Sequence, residues 1–407
     1  MKTEPSFRIL LAMEYVRLSL LDHALEILEG ITPAEGEDYQ TAQEIKLRIY
    51  FQKGNYPLVV HLCEALGGIE KLKLAAAEDI AVAYWLNGDK AKAREALTTA
   101  TGYLPSLEEV RQTLAAIPLG DLHQGPHQLE NLLKEAARLK FGYHVLLDNL
   151  APLIWGTRPA TCCFIDQIPL LLQIKDLPPK QAREGCLALA QLLYASFRIY
   201  TAFVPYFYTE GLKSRGIILI KLYFTTQAER HAKVQGLVDL FWEKVTPNPF
   251  SPGWLDYREQ EGAILGYPEC CMNWASSLTS QFKSYEMEAL ADLVREHLRS
   301  GYEPGLPHPL YAYFTYEFYP CSPRCEAAEA VGRNLAEAYR HQSPLMEQVF
   351  HDHVLKANQL IICRPGVAYL DLMGGFDEVV EKCLGELGET LAKIRRERRE
   401  QEAGADG

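Results

Sequence analysis

The chain has 407 residues, of which 48% are hydrophobic and 23% are charged, and its formal net charge is −12. This length predicts two or three domains and a core large enough to be stable without disulfides. The acidic balance argues against nucleic acid as a partner, because phosphate recognition needs a basic surface.

The N-terminal segment carries no targeting signal that the sequence reveals. Acidic residues interrupt it, and no small-residue cleavage site follows. No apolar run in the chain approaches the ~20 residues that a membrane span needs. These features predict a cytoplasmic protein without membrane contact, whose ten cysteines are thiols or metal ligands rather than disulfides.

A repeat organises the first hundred residues. Gly54 and Gly88 are 34 residues apart, and Tyr50 and Tyr84 each precede one of these glycines by four residues. The segment around Tyr15 fits the same frame. This period and these positions resemble the tetratricopeptide repeat, in which each copy is a pair of helices that buries its apolar face against its neighbours.

The second helix of each copy shows the expected apolar positions. The small-residue position holds Ala24, Val59 and Ala93. Two departures from the repeat consensus stand out: Ser19 occupies the turn position of the first copy, and the position that is usually aromatic holds Leu28, Cys63 and Leu97. A plain helical bundle is the alternative interpretation.

The repeats resemble a binding scaffold rather than an active site. The predicted array covers residues 5–120 and presents a concave face near Tyr15, Tyr50 and Tyr84, where we expect a protein or peptide partner. Residues 128–390 mix helical and strand patterns, and residues 391–407 form a charged, frayed tail. The predicted fold class is therefore α+β and mostly helical, with an N-terminal α-solenoid of three helical hairpins followed by a mixed domain.

Several elements of the second domain follow from local patterns. A helix is predicted over 180–197, and two strands over 198–208 and 216–225 flank a polar turn. A further helix over 226–245 has Thr225 or Thr226 as its N-cap candidates. An irregular, proline-rich loop over 246–256 then leads to a cysteine-containing region.

Six of the ten cysteines occur in groups: Cys162 with Cys163, Cys270 with Cys271, and Cys321 with Cys325. Pro268 suits the first position of a helix, which would place Cys270 and Cys271 in the first turn. The start of a helix stabilises a thiolate, and thiolates are the form that binds metals.

The third group has a similar context. Ser322 is a natural N-cap and Pro323 a natural first helical residue, so Cys325 is predicted in the first turn and Cys321 just before the cap. Two such helix starts facing each other would bring the thiolates together.

These observations predict a metal site formed by Cys270, Cys271, Cys321 and Cys325, holding zinc or an iron–sulfur cluster. Adjacent residues on a helix diverge by about 100°, so His308 is the expected substitute if one cysteine of the adjacent pair faces away. A reactive or redox thiol and inert packing are the alternatives.

Other candidate groups favour structural interpretations. Cys162 and Cys163 are expected at the start of a buried strand. His351 and His353 point apart if they lie on one helix. The acidic residues shortly before Cys270, which include Glu261, are expected to form a charged helix face, although they could act in acid–base chemistry.

Two segments carry a family resemblance. Residues 264–271, ILGYPECC, and residues 320–325, PCSPRC, resemble the GYPxCC and CSxxC signature of an uncharacterised prokaryotic family, domain of unknown function 483. The resemblance implies that these four cysteines are the hallmark of the domain, and it implies no activity. We therefore expect a metal-binding adaptor protein. The alternative is an enzyme that uses an iron–sulfur cluster or reactive thiols, with the repeats recruiting its substrate.

Overall fold

The computed structural model describes residues 4–68, 74–117, 145–165, 168, 171, 177–208, 217–248, 251–282, 321, 325–342, 347–348 and 350–351. The helices of these residues are α1 (Pro5–Arg17), α2 (Leu21–Glu29), α3 (Glu37–Gln52), α4 (Tyr56–Ala65), α5 (Leu74–Leu86), α6 (Lys90–Ala100), α7 (Leu107–Ala115), α8 (Ala151–Ile154), α9 (Pro179–Phe197), α10 (Ala228–Lys244), α11 (Pro252–Leu265), α12 (Glu269–Phe282) and α13 (Glu326–Gln342). A 3₁₀ turn at Pro33–Glu35 and a π-helical turn at Val145–Leu150 complete them.

A small sheet accompanies the helices. Its strands are β1 (Ala160–Phe164), β2 (Tyr200–Tyr208) and β3 (Ile217–Thr225), in the order β1-β3-β2. Strand β1 runs antiparallel to β3. The predicted mostly helical α+β class is confirmed. Within the described residues, no helix has both the length and the apolar character required to cross a membrane.

Two predicted boundaries shift in the structure. Helix α10 begins at Ala228, because the side chain of Thr225 accepts a hydrogen bond from the Gln227 amide and the helix starts beyond that turn. The predicted loop over 246–256 ends earlier than expected, since Pro252 opens α11 in the role of a first helical residue. The linker near residue 120 and the tail over 391–407 lie outside the described residues.

The chain divides into two compact units. Unit 1 contains the described residues of Met1–Leu104, Pro205–Leu219 and Phe241–Gly253, and unit 2 those of Pro105–Val204, Ile220–Leu240 and Trp254–Gly407. The compact units are thus not contiguous in sequence, whereas the predicted domains are.

Three helix pairs form the N-terminal part of unit 1: α1 with α2, α3 with α4, and α5 with α6. The turn of each pair has one residue in the left-handed region, with φ of 59° at Ser19, 72° at Gly54 and 81° at Gly88. The repeat frame had aligned these three positions. Glycine adopts this conformation without strain, whereas serine does not.

The second helices pack as the frame predicts. All six aligned apolar positions are buried, namely Ala24, Leu28, Val59, Cys63, Ala93 and Leu97. Asn55 and Asp89 cap α4 and α6 by accepting hydrogen bonds from backbone amides of the first turn, whereas Leu20 at the equivalent position of α2 makes no such bond. Of the three hairpins, the first therefore has the least favourable turn conformation and the least favourable helix capping.

Replacing Ser19 by glycine is expected to stabilise unit 1 by about 1 kcal/mol, since it removes the cost of a left-handed non-glycine residue. The reciprocal change Gly88→Ser should destabilise unit 1 by a similar amount. A β-carbon added at Gly88 would have no atom within 4 Å beyond its chain neighbours, so we expect backbone strain to dominate the cost. Thermal unfolding followed by circular dichroism measures both changes. Equal midpoints for Ser19→Gly and the native chain would contradict the shared turn geometry.

Candidate metal centre

A sharp connection between α11 and α12 positions the first pair of cysteines. Helix α11 ends at Leu265, the φ of the following Gly266 is 73°, and the Tyr267 amide donates back to the Gly262 carbonyl at 2.9 Å. This is the hydrogen bond of a Schellman C-cap, which ends a helix at a left-handed glycine. A β-carbon at Gly266 would lie 2.5 Å from a side-chain carbon of Pro159, so the close approach also requires glycine.

Helix α12 starts immediately after this turn. The Pro268 carbonyl accepts hydrogen bonds from the amides of Cys271 and Met272, at 3.0 and 3.1 Å. Pro268 is thus the residue just outside the helix, whereas it was predicted to be the first helical residue. Cys270 and Cys271 lie in the first turn, as expected.

The second cysteine group uses a different cap from the predicted one. Helix α13 begins at Glu326, and the Cys325 carbonyl accepts from the Glu329 amide at 2.9 Å, which makes Cys325 itself the N-cap. The backbone amide of Ala328 also hydrogen-bonds the Cys325 thiol. The prediction that Cys325 lies in the first turn was wrong, because Cys325 immediately precedes the first helical residue. Its sulfur caps the helix, the role that was expected for the hydroxyl of Ser322. Ser322 and Pro323 lie outside the described residues.

The four thiols converge at one point. The Sγ–Sγ distances are 3.5 Å for Cys271 and Cys325, 3.7 Å for Cys270 and Cys325, and 3.9 Å for Cys270 and Cys271. The Sγ of Cys321 completes a set of four sulfur atoms that all lie within 4.8 Å of one another. The predicted convergence of Cys270, Cys271, Cys321 and Cys325 is confirmed, and four thiols at these distances could hold a metal ion.

Both adjacent cysteines contribute, although divergence along the helix suggested that only one of them would. Side chains in a helix tilt toward its N-terminus, so two neighbours in the first turn can reach a common point beyond the helix end. His308, the expected substitute, lies outside the described residues.

Burial differs among the four thiols. Cys271 and Cys325 are buried, Cys321 is half-buried and Cys270 is exposed. Protein atoms therefore surround most of the site, and one thiol faces solvent.

Three of the thiols, those of Cys271, Cys321 and Cys325, have pKa values shifted by their surroundings. Burial raises the pKa of Cys271 above its ordinary value, and burial together with the Cys325 thiol raises the pKa of Cys321 to about 11. Burial opposes ionisation of Cys325 as well, but the Ala328 amide and the neighbouring thiols outweigh it and hold the pKa of Cys325 below its ordinary value. The site alone thus favours the thiolate of Cys325, and a bound cation would supply the charge that ionises Cys271 and Cys321.

The other described cysteines lie apart from this cluster. Cys162 and Cys163 are buried on β1, as expected, and Cys63 and Cys186 are buried on α4 and α9. Burial raises the pKa of Cys186 to about 12, which keeps it protonated and unreactive. His351 stands 3.7 Å from a carboxylate oxygen of Glu347.

A cluster of buried polar side chains connects helix α11 to the sheet. Local sequence patterns did not predict this cluster. Lys221 on β3 pairs with Glu261 on α11 at 3.1 Å, and both side chains are largely buried. The Tyr223 hydroxyl donates to the same carboxylate and lies 3.3 Å from the Tyr257 hydroxyl. Glu261, predicted to lie on a charged helix face, instead joins α11 to the sheet. The sequence feature that could have indicated this pairing is Lys221, a charged residue in an otherwise apolar strand.

The three tyrosines predicted to face a partner differ in exposure. Tyr15 and Tyr50 are half-buried, whereas Tyr84 is 5% exposed. The Tyr84 hydroxyl hydrogen-bonds the Cys63 thiol, and its ring borders a cavity of about 260 Å³ beside Lys92. Tyr84 therefore packs in the interior of unit 1 rather than on an open face.

Comparison with known proteins gives no match, whether with protein-family models, with curated proteins or with solved structures. The resemblances to tetratricopeptide repeats and to domain of unknown function 483 therefore stay predictions.

Proposed function

We propose that this protein is a scaffold whose unit 2 is held together by one metal ion bound to Cys270, Cys271, Cys321 and Cys325. Its helix pairs would form a tetratricopeptide-type solenoid that binds a protein or peptide. The observation that carries the proposal is the convergence of the four sulfur atoms from α12 and from the start of α13.

The spacing of the sulfur atoms favours a single ion. Four thiolates around a tetrahedral zinc, with bonds of about 2.3 Å, are separated from one another by about 3.8 Å. The separations of 3.5 to 3.9 Å among the sulfur atoms of Cys270, Cys271 and Cys325 bracket this value, and the sulfur atom of Cys321 lies within 4.8 Å of these three. In a [4Fe–4S] cluster each cysteine binds a different iron atom, and in a [2Fe–2S] cluster the four cysteines are divided between two iron atoms, so some of the ligand sulfur atoms lie farther apart than they do around a single ion. We therefore favour zinc among the two cofactors predicted from the sequence.

The type of ligand favours a structural role. Sites with four cysteine ligands leave no coordination position for a substrate, and such closed sites contribute to folding rather than to catalysis. Cys271 and Cys325 are 54 residues apart in sequence. A shared ion would thus join two distant helix starts within unit 2.

The repeat geometry supports the scaffold part of the proposal. The turn residues Ser19, Gly54 and Gly88 share one backbone conformation, and the aligned positions of the second helices are all buried. Arrays of this type present extended surfaces to partners. Among the three predicted tyrosines, Tyr15 and Tyr50 remain candidates for partner contact, because Tyr84 is buried.

A second candidate function rests on Cys270. Its exposure is the one feature of the site that favours thiol or iron–sulfur chemistry, with the repeats recruiting a substrate. The colour and metal content of the protein distinguish the two functions.

Metal analysis of protein purified without oxygen tests the proposal. We expect one zinc per chain and no visible absorption, with the zinc lost in Cys271→Ser and retained in Cys186→Ser. The second substitution also removes a buried thiol of unit 2, so it is a matched control. A brown protein containing iron and sulfide would favour the enzyme, and a native chain without stoichiometric metal would refute the metal centre.

A further inference from the structure

Exposed apolar side chains concentrate at one place in the part of the chain that the structure describes. Seven large hydrophobic residues there are exposed, and six of them belong to α1 or to the turn that follows it. These six are Phe7, Leu10, Leu11, Met13, Leu18 and Leu20, with Leu10 the most exposed at 62%. The seventh, Leu177, belongs to unit 2.

Helix α1 is apolar on two opposite sides. Its inner side places Ile9 and Ala12 in a buried cluster with residues of α2 and α3. Phe7, Leu11 and Leu18 recur at helical spacing on the opposite side, and Leu10 and Met13 extend this exposed surface along one of its edges. We call these five residues the α1 outer face. Contiguous exposed apolar patches on soluble proteins mark contact surfaces, so we expect another surface to cover this face.

Two opposite charges stand beside the exposed apolar residues of α1. Glu14 and Arg17 pair with each other at 2.9 Å, and both are well exposed. The face therefore carries no net charge, although the chain carries −12. A second copy of the same face would meet no repulsion there, whereas nothing in the face would select a strongly charged partner.

The size of the face is sufficient for a stable contact. Its exposed apolar surface is on the order of 600 Å², the upper end of the range for patches on monomers. Two copies packed face to face would bury about 1,200 Å², which is within the range of specific interfaces. A contact between identical faces also closes after two copies, so it does not lead to fibres.

We infer that the α1 outer face is the interface of a homodimer with twofold symmetry. Such a dimer would carry two repeat arrays, and would bind a partner with two copies of the recognised segment more tightly than one array does. This inference depends on unit 1 alone and is independent of the metal centre.

The test compares the mass of the native chain with that of two variants by sedimentation equilibrium over a wide concentration range. We expect the native chain at twice 46.0 kDa, and Phe7→Glu/Leu10→Glu at least about tenfold weaker in self-association, because charge would be buried at the centre of the interface. Leu177→Glu introduces the same charge at an exposed leucine of unit 2 and should remain dimeric. Circular dichroism checks that both variants fold, and Leu10→Arg provides a milder substitution if the double variant does not.

Hydrogen exchange adds a second readout. Amides of α1 should become more protected as the native protein is concentrated, and should lose this dependence in Phe7→Glu/Leu10→Glu. A native chain that stays at 46.0 kDa throughout would overturn the inference. Protection of α1 at every concentration would then show that another part of the chain covers the face. A dimer that persists in a folded Leu10 variant would also overturn it, by placing the interface elsewhere.

Discussion

Chelating the metal is expected to lower the free energy of unfolding of unit 2 by about 4 kcal/mol, relative to protein held with free zinc a thousandfold above the dissociation constant. The physical reason is that Cys270, Cys271, Cys321 and Cys325 converge only in the folded chain, so the ion stabilises that state alone. Urea unfolding followed by circular dichroism, with and without a chelator, measures the difference.

Two variants make this result specific. In the presence of zinc, Cys271→Ser should be less stable than the native chain by most of this free energy. In the presence of the chelator, the two proteins should have nearly equal free energies of unfolding. Cys186→Ser, whose thiol lies on α9 outside the cluster, should keep the full dependence on zinc. If the chelator destabilises native protein and Cys271→Ser equally, zinc acts somewhere else and the assignment of the ligands is wrong.

Removing the positive charge at Lys221 is expected to destabilise unit 2 by about 3–5 kcal/mol. Lys221→Met would leave the Glu261 carboxylate largely buried without its cation, and the loss of a partner from a buried pair is costly. The Tyr223 hydroxyl would still donate to that carboxylate, but a neutral donor does not replace the charge. Thermal and urea unfolding of the variant measure the loss.

The double variant Lys221→Met/Glu261→Gln should recover most of this stability, since neither buried charge remains and the amide oxygen can still accept from Tyr223. Recovery would show that an uncompensated charge caused the loss. A double variant as unstable as Lys221→Met would instead point to the loss of another contact of Lys221, whose ammonium nitrogen also lies 5.3 Å from the centroid of the Phe164 ring.

Local sequence signals predicted much of the site. Pro268 indicated a new helix start beside Cys270 and Cys271, and such signals act within a few residues. They failed for Cys325, because Ser322 is the stronger cap by propensity and nothing local shows that the thiol itself caps the helix. All four cysteines were predicted, with His308 as the substitute for one of the adjacent pair. Helical divergence suggested that substitute because it describes directions around the axis and not reach beyond its end.

The repeat spacing predicted the helix pairs but not what packs on them. Trp85 of α5 is fully buried, with its ring centroid 5.0 Å from that of Phe207 and 5.2 Å from that of Phe241. These partners come from β2 and α10, more than a hundred residues away, and join unit 1 for that reason. Periodicity identifies which side of a helix is apolar, whereas it carries no information about which distant segment covers that side. The burial of Tyr84 was missed for the same reason.

X-ray absorption at the zinc edge of the purified native protein tests the metal centre most directly. We expect a first shell of four sulfur atoms at about 2.3 Å and no scattering from a second metal. The same spectrum of Cys270→Ser, which changes the exposed ligand, should contain three sulfur atoms and one lighter atom. A native spectrum dominated by nitrogen or oxygen ligands, or one with a neighbouring metal, would contradict a single ion held by Cys270, Cys271, Cys321 and Cys325.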